Sequence, residues 1–199
     1  MMSIQPLQLD IQQAAFLHNA VLSGIHAAKG TAHSLVLTLD DEALGFNGWD
    51  SYDAVVGKHD PKTQAKKTTL LYRGETGMLE RLRRGLPGFD ALERMAIKAC
   101  GGRMVVAFVH VLQQSSAQAC FQWHTDTETG GYERVRYTVV VLLSNTRSSM
   151  QIQGEPEFFY EGAGASARFP SAEVHRSGAA TPGTIKIALM MKREGERLW

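Results

Sequence analysis

Cysteine is nearly absent from this chain: 199 residues contain only Cys100 and Cys120. Two thiols make no disulfide framework, and reduced cysteines in a cytosolic setting are expected instead. Neither sign of charge is in excess. The 21 Lys and Arg against 20 Asp and Glu leave a formal net charge of +1, so no global field draws the chain to nucleic acid or a membrane surface. Long apolar runs are missing as well. None approaches the roughly 20 residues that a membrane span needs, and the N-terminus lacks a basic-then-apolar signal pattern. A cytoplasmic protein without a membrane segment is expected. Repeats and low-complexity tracts are also lacking. What remains is 44% hydrophobic and 21% charged, the balance of a soluble globular protein. The length fits a single domain over 1–199.

Two halves differ in character. In the first, Ile11, Ala14, Ala15, His18, Leu22 and Ile25 recur near one helical face, Ser34–Leu39 reads as a short strand, and Gly77–Arg84 and Phe89–Ala99 read as helices. Residues 45–67 are rich in Gly, Asp and Lys without a period and read as a long loop. Its basic run, Lys58–Lys67, is expected to be solvated surface, and nucleic acid is not an expected partner. In the second half, strands are expected at Met104–Gln113, Cys120–His124, Arg134–Leu143, Met150–Gln153, Glu157–Tyr160, Ala165–Phe169, Glu173–Arg176 and Gly183–Lys192, with Gly- and Asn-containing turns between most of them. Eight short strands after a helical half predict an α+β fold. Its core, 103–192, is a double-stranded β-helix of jelly-roll or cupin-like type, braced by a mixed N-terminal elaboration over 1–102.

Chemistry concentrates at His124-Thr125-Asp126, with a third candidate ligand, His175, 51 residues after His124. Side chains at i and i+2 of a strand share a face, so His124 and Asp126 can converge on one ion while His175 arrives from another strand. Two imidazoles and a carboxylate can cap one face of an octahedral metal and leave the other face open, as in non-haem Fe(II) oxygenases. The same donors suit Zn or Mn. The other five histidines lack this context; His18 and His110 read as satisfied structural residues. Trp123 should point away from His124, into a core.

The second half resembles the Fe(II)/2-oxoglutarate-dependent dioxygenases, particularly the branch containing prolyl hydroxylases. The matching text is Trp123-His-Thr-Asp126, Tyr137-Thr-Val-Val-Val-Leu-Leu-Ser-Asn145, Phe169-Pro-Ser with His175, and Pro182-Gly-Thr184 leading into Ile185–Leu189. The likeness covers roughly residues 104–192. It implies that His124, Asp126 and His175 bind Fe(II), and that a basic residue of the last strand binds the distal carboxylate of 2-oxoglutarate. Lys186 is the candidate, with Arg136 and Arg176 as alternative anion partners. The chain departs from the family pattern here. Ile185 intervenes between the Gly-Thr pair and Lys186, and a one-residue offset reverses the face of a strand side chain. Alternation nevertheless sets Ile185, Ile187, Leu189 and Met191 on one face and Lys186, Ala188 and Met190 on the other.

The implied activity is a dioxygenase using Fe(II), 2-oxoglutarate and O2 to hydroxylate a C–H bond of an amino-acid-like, peptidyl or small-metabolite substrate, with succinate and CO2 released. Trp49 and Tyr52 are candidates for the wall of the substrate pocket, since pockets favour aromatic linings. A cupin-like metal enzyme that does not use 2-oxoglutarate, and a non-catalytic binding module on the same sheets, are the competing readings. The oligomeric state is left open.

Overall fold

The computed structural model describes residues 3–28, 34–40, 42–49, 65–71, 77–117, 119–127 and 132–197. Helix α1 (Ile11–Ala27) is opened by Asp10, whose carboxylate accepts from the amides of Gln12 and Gln13, a standard N-cap that satisfies two orphan donors. Helices α2 (Met78–Gly85) and α3 (Phe89–Cys100) follow. The strands are β1 (Gln5–Gln8), β2 (Ser34–Leu39), β3 (Glu42–Trp49), β4 (Ala65–Leu71), β5 (Met104–Gln114), β6 (Val135–Leu142), β7 (Arg147–Ile152), β8 (Phe158–Glu161), β9 (Ala165–Pro170), β10 (His175–Ala180) and β11 (Thr184–Arg193).

They form two antiparallel sheets. The larger runs β1-β9-β6-β11-β5-β4-β3-β2 and the smaller β10-β7-β8. Period-two alternation assigns the two faces of the larger sheet. Val109, Val111, Val139, Val141, Ile185, Ile187, Leu189 and Met191 pack with Leu17, Val21, Leu82, Phe89, Leu92 and Ala96 of the helices. The opposite face contributes Val140, Leu142, Ala167, Phe169 and Ala188, which meet Met150, Ile152 and Tyr160 of the smaller sheet. This is the expected α+β double-stranded β-helix braced by helices. The helix-side core draws on both 1–102 and 103–192.

Several elements differ from the sequence expectation. The buried face of α1 is Ala14, Leu17, Val21 and Gly24, and Ile11 is 66% exposed; this 3-4-3 spacing is as helical as the expected one. Both ends of the expected 45–67 loop are strands. Trp49 pairs with Lys67, and β4 extends the sheet alongside β5. Backbone ladders satisfy these residues whatever their side-chain period. Residues 50–64 lie outside the described residues. Cys120–His124 is not a strand; its one ladder contact is a bridge between His124 and His175. The terminal strand β1, which pairs with β9, has too few residues to show a period.

Candidate metal centre

The bridge between His124 and His175 is the geometric origin of the site. Asp126 is tied down separately, its amide donating to the Ser171 carbonyl at 2.9 Å. Three donors thereby face one point. His124 Nε2 lies 3.6 Å from Asp126 Oδ1, and His175 Nε2 lies 3.7 Å from Asp126 Oδ2. One ligand atom from each residue falls within 4.8 Å of the others.

The donor set fits a divalent cation. Each imidazole uses Nδ1 on the backbone carbonyl two residues earlier: His124 on Gln122 at 2.6 Å, His175 on Glu173 at 2.9 Å. A carbonyl only accepts, so each Nδ1 carries a proton, and Nε2 is left as the ring atom that can ligate a metal. Such outer contacts orient metal-binding histidines. The Thr138 hydroxyl donates to Asp126 Oδ2 at 2.6 Å and also contacts the Ser171 hydroxyl at 2.9 Å. Burial pushes the Asp126 carboxyl up, but His175, His124 and the Thr138 hydrogen bond outweigh it and hold the group well below the usual carboxylate range. Burial also lowers His175. An ionised carboxylate is the form in which Asp126 can ligate a metal.

The cavity around the triad enters between the two sheets and encloses about 590 Å3, counting its solvent-open part. Rows of paired residues cross its floor. Lys67, Leu112, Lys186 and Leu142 form one row, and Thr69, His110, Ala188 and Val140 the next. Phe108, Met190, Thr138 and Phe169 form the third, beside the triad. Four residues of β11, about 14 Å at ~3.4 Å each, separate the Lys186 row from the Thr138 row.

Lys186 is 3% exposed and lines this cavity. Its ammonium lies 5.4 Å from the centroid of the Tyr160 ring, a favourable cation–π placement, and burial holds its pKa down to about 7. The Ile185 offset does not turn it away, because the apolar alternation of β11 sets its phase and the register shift comes later, between Met190 and Met191. Arg176 also lines the cavity; it bonds Gln151 at 3.0 Å, and its guanidinium covers the Trp123 ring at 4.7 Å. Trp123 is thus 37% exposed rather than in a core. Arg136 is not brought to the cavity; it pairs with Glu196 at 3.0 Å. The backbone of Trp49 pairs with that of Lys67, its side chain is not among those described, and Tyr52 lies outside the described residues.

Lys67, Thr138, Tyr160 and Phe169 are among the cavity residues that sequence reasoning missed. Thr138 carried a signal, being a hydroxyl inside an apolar strand. Lys67 carried a misleading one, as the last member of a basic run. His110 lines the cavity as well as being structural, with Nδ1 3.1 Å from the Thr69 hydroxyl and Nε2 3.5 Å from that of Tyr132; burial holds it neutral.

No family model and no curated protein matches the sequence. Solved structures do match the fold. A prolyl hydroxylase from Trichoplax adhaerens, in complex with a hypoxia inducible factor oxygen degradation domain peptide fragment, is similar over 98% of this chain and 86% of its own, with TM-score 0.60 and 12% identity. AviO1 from Streptomyces viridochromogenes is similar over 97% and 90%, with TM-score 0.58 and 12% identity. An oxidoreductase of the 2OG-Fe(II) oxygenase family from Burkholderia pseudomallei is similar over 93% and 92%, with TM-score 0.50 and 12% identity. The fold is therefore that of the prolyl-hydroxylase-like 2-oxoglutarate oxygenases.

Proposed function

We propose that this chain, with the fold of the 2-oxoglutarate oxygenases, is an Fe(II)- and 2-oxoglutarate-dependent oxygenase that hydroxylates a C–H bond of a small-molecule or peptidyl substrate. The observation that carries the proposal is one cavity holding both a convergent His124–Asp126–His175 donor set and a buried lysine, Lys186. Iron(II), 2-oxoglutarate and O2 together supply the oxidising chemistry, releasing succinate and CO2 as the hydroxyl is delivered.

The chain's own residues do the rest. His124, Asp126 and His175 hold the metal from one side, and Thr138 fixes the carboxylate's orientation. Lys186 binds the distal carboxylate of 2-oxoglutarate. Leu112, Val140, Phe169 and Met190 line the cavity and exclude water, which strengthens each of these charged contacts. Arg176, whose guanidinium covers the Trp123 ring, lines the cavity and is available to an anionic group of the substrate. Trp49 is proposed as a further wall, supported by its pairing with Lys67.

The test is succinate release from 2-oxoglutarate by the aerobic, Fe(II)-loaded protein, with and without pools of candidate substrates. Iron-dependent succinate formation is expected. Metal-dependent turnover of a substrate without succinate would instead indicate a cupin-like metal enzyme. Absence of both Fe(II) and 2-oxoglutarate binding would leave only a binding module.

A further inference from the structure

The segment that carries His124 has one residue more than the stretch of β10 it runs beside. Two contacts join them. His124 and His175 exchange backbone hydrogen bonds. Further along, the Ser177 amide donates to the Phe121 carbonyl at 3.1 Å, and the Phe121 amide donates to the Ser177 hydroxyl at 2.6 Å. Gln122 and Trp123 therefore stand opposite Arg176 alone. An extra residue of this kind bends a chain, breaks its ladder and re-aims a side chain. Here the re-aimed side chain is a metal ligand, because Gln122, inside the offset, offers the carbonyl that accepts from His124 Nδ1 at 2.6 Å.

Two side chains hold this offset where the backbone ladder does not. The Ser177 hydroxyl takes the Phe121 amide in place of a backbone carbonyl. Gln114, fully buried at the end of β5, donates from Nε2 to the Ala119 carbonyl and reaches that of Gly178 at 3.5 Å, while its Oε1 accepts from the Ser148 hydroxyl at 3.3 Å. One amide thus spans the His124 segment, β10 and β7. It does so where β10 is itself irregular, its register against β7 shifting between Ser177 and Ala180.

Resting on the metal-centre reading of the site, we infer that Ser177 and Gln114 are positioning residues that hold the offset register aiming His124 Nε2 at the point shared with Asp126 and His175. Neither belongs to the donor set. Ser177 fixes Phe121, Gln114 fixes Ala119, and Gln122 between Phe121 and His124 orients the imidazole. The other two ligands have holds of their own, His175 on the Glu173 carbonyl and Asp126 on the Ser171 carbonyl. Losing either positioning residue therefore falls on His124. A buried amide left without its acceptor seeks another one, and the segment moves with it.

The experiment titrates the full chain with Co(II), a divalent ion whose visible absorption reports its ligands. Ser177→Ala should weaken Co(II) binding roughly tenfold or more, the loss typical of a contact that orients a metal ligand, and change the absorption of the bound ion. Ser177→Thr, which keeps the hydroxyl, should restore both. Gln114→Met should act in the same direction as Ser177→Ala. Circular dichroism of the metal-free variants should match wild type. Proton NMR of the Co(II)-loaded protein adds a readout that a loss of general stability would not give. Each ligand imidazole contributes one exchangeable Nδ1–H signal, and Ser177→Ala should move one of the two and leave the other in place. Wild-type affinity and absorption in Ser177→Ala overturns the inference. So does an equal displacement of both imidazole signals, or a failure of Ser177→Thr to restore binding. If Gln114→Met does not fold, the Ser177 pair decides by the same criteria. Wild-type protein that binds no Co(II) refutes the metal centre itself, and that result is read before any variant is compared.

Discussion

His124 and His175 exchange backbone hydrogen bonds with each other. The His124 amide donates to the His175 carbonyl at 2.9 Å, and the His175 amide donates back at 2.8 Å. Residues so paired on antiparallel chains present their side chains on the same face, and the two rings lie with centroids 4.1 Å apart. Two ligands 51 positions apart in sequence thus depend on one reciprocal backbone pair rather than on a continuous strand.

Replacing His124 or Asp126 with Ala should abolish stoichiometric Fe(II) binding and leave the fold intact, since neither substitution removes the backbone pair. Metal analysis after loading and desalting, beside circular dichroism, checks this. A variant with wild-type iron content would show the ligand assignment to be wrong.

Thr138→Val keeps the shape of the side chain and removes the hydroxyl that donates to Asp126 at 2.6 Å. Loss of such an orienting contact typically weakens metal binding about 10- to 100-fold. An Fe(II) titration should show that range for Thr138→Val and near-normal affinity for Thr138→Ser. Unchanged affinity in the valine variant would make Thr138 a packing residue only.

Lys186→Ala should raise the 2-oxoglutarate half-saturation roughly 10- to 150-fold, the equivalent of about 1.5–3 kcal/mol. The pH dependence carries a sign. Burial depresses the lysine's pKa from 10.5 to about 7, so the folded chain disfavours the ammonium. Between those values the unfolded state binds more protons, and the ligand-free protein should gain stability through this group as pH rises from about 7 to 10.5. Binding 2-oxoglutarate requires the ammonium, so affinity should fall roughly tenfold per pH unit above ~7. Calorimetric titrations across that range should show the slope in wild type and not in Lys186→Met; matching slopes would rule out Lys186 as the titrating anchor.

Gly24→Ala tests the packing of α1 on β2. A Cβ there would collide with the carbonyl oxygen of Val36 and reach Leu35 Cδ1 at 2.8 Å. Overpacking of this kind costs about 1–3 kcal/mol, somewhat offset by alanine's better helix propensity. The expected fall in Tm is roughly 2–10 °C, and a Tm equal to wild type would show that the helix shifts without strain.

Some of this molecule is written locally. The alternation Ile185, Ile187, Leu189 and Met191 demands one buried face, which sends Lys186 to the other whatever precedes it. The two ligands His124 and Asp126 are adjacent enough to be read as a pair, just before the apolar run of β6. The helix at Phe89–Cys100 is equally plain, from its apolar period and the Gly101 stop.

The remainder depends on partners far along the chain. Arg136 lies on a strand that reaches the cavity through Thr138 and Val140, yet its own side chain meets Glu196 at the surface. Lys67 ends a basic run that looks solvated, but β4 pairs with β5 and carries it inward. Residues 120–124 look like a strand because they are apolar and short, although only His124 finds a ladder partner there. Composition and period determined which faces of the long strands are buried, because desolvation acts on each side chain where it stands. Which face closes on which, and so which cations reach the metal ligands, was decided only by the pairing of β4, β5, β11 and β6, since register is a relation between segments that no single segment contains.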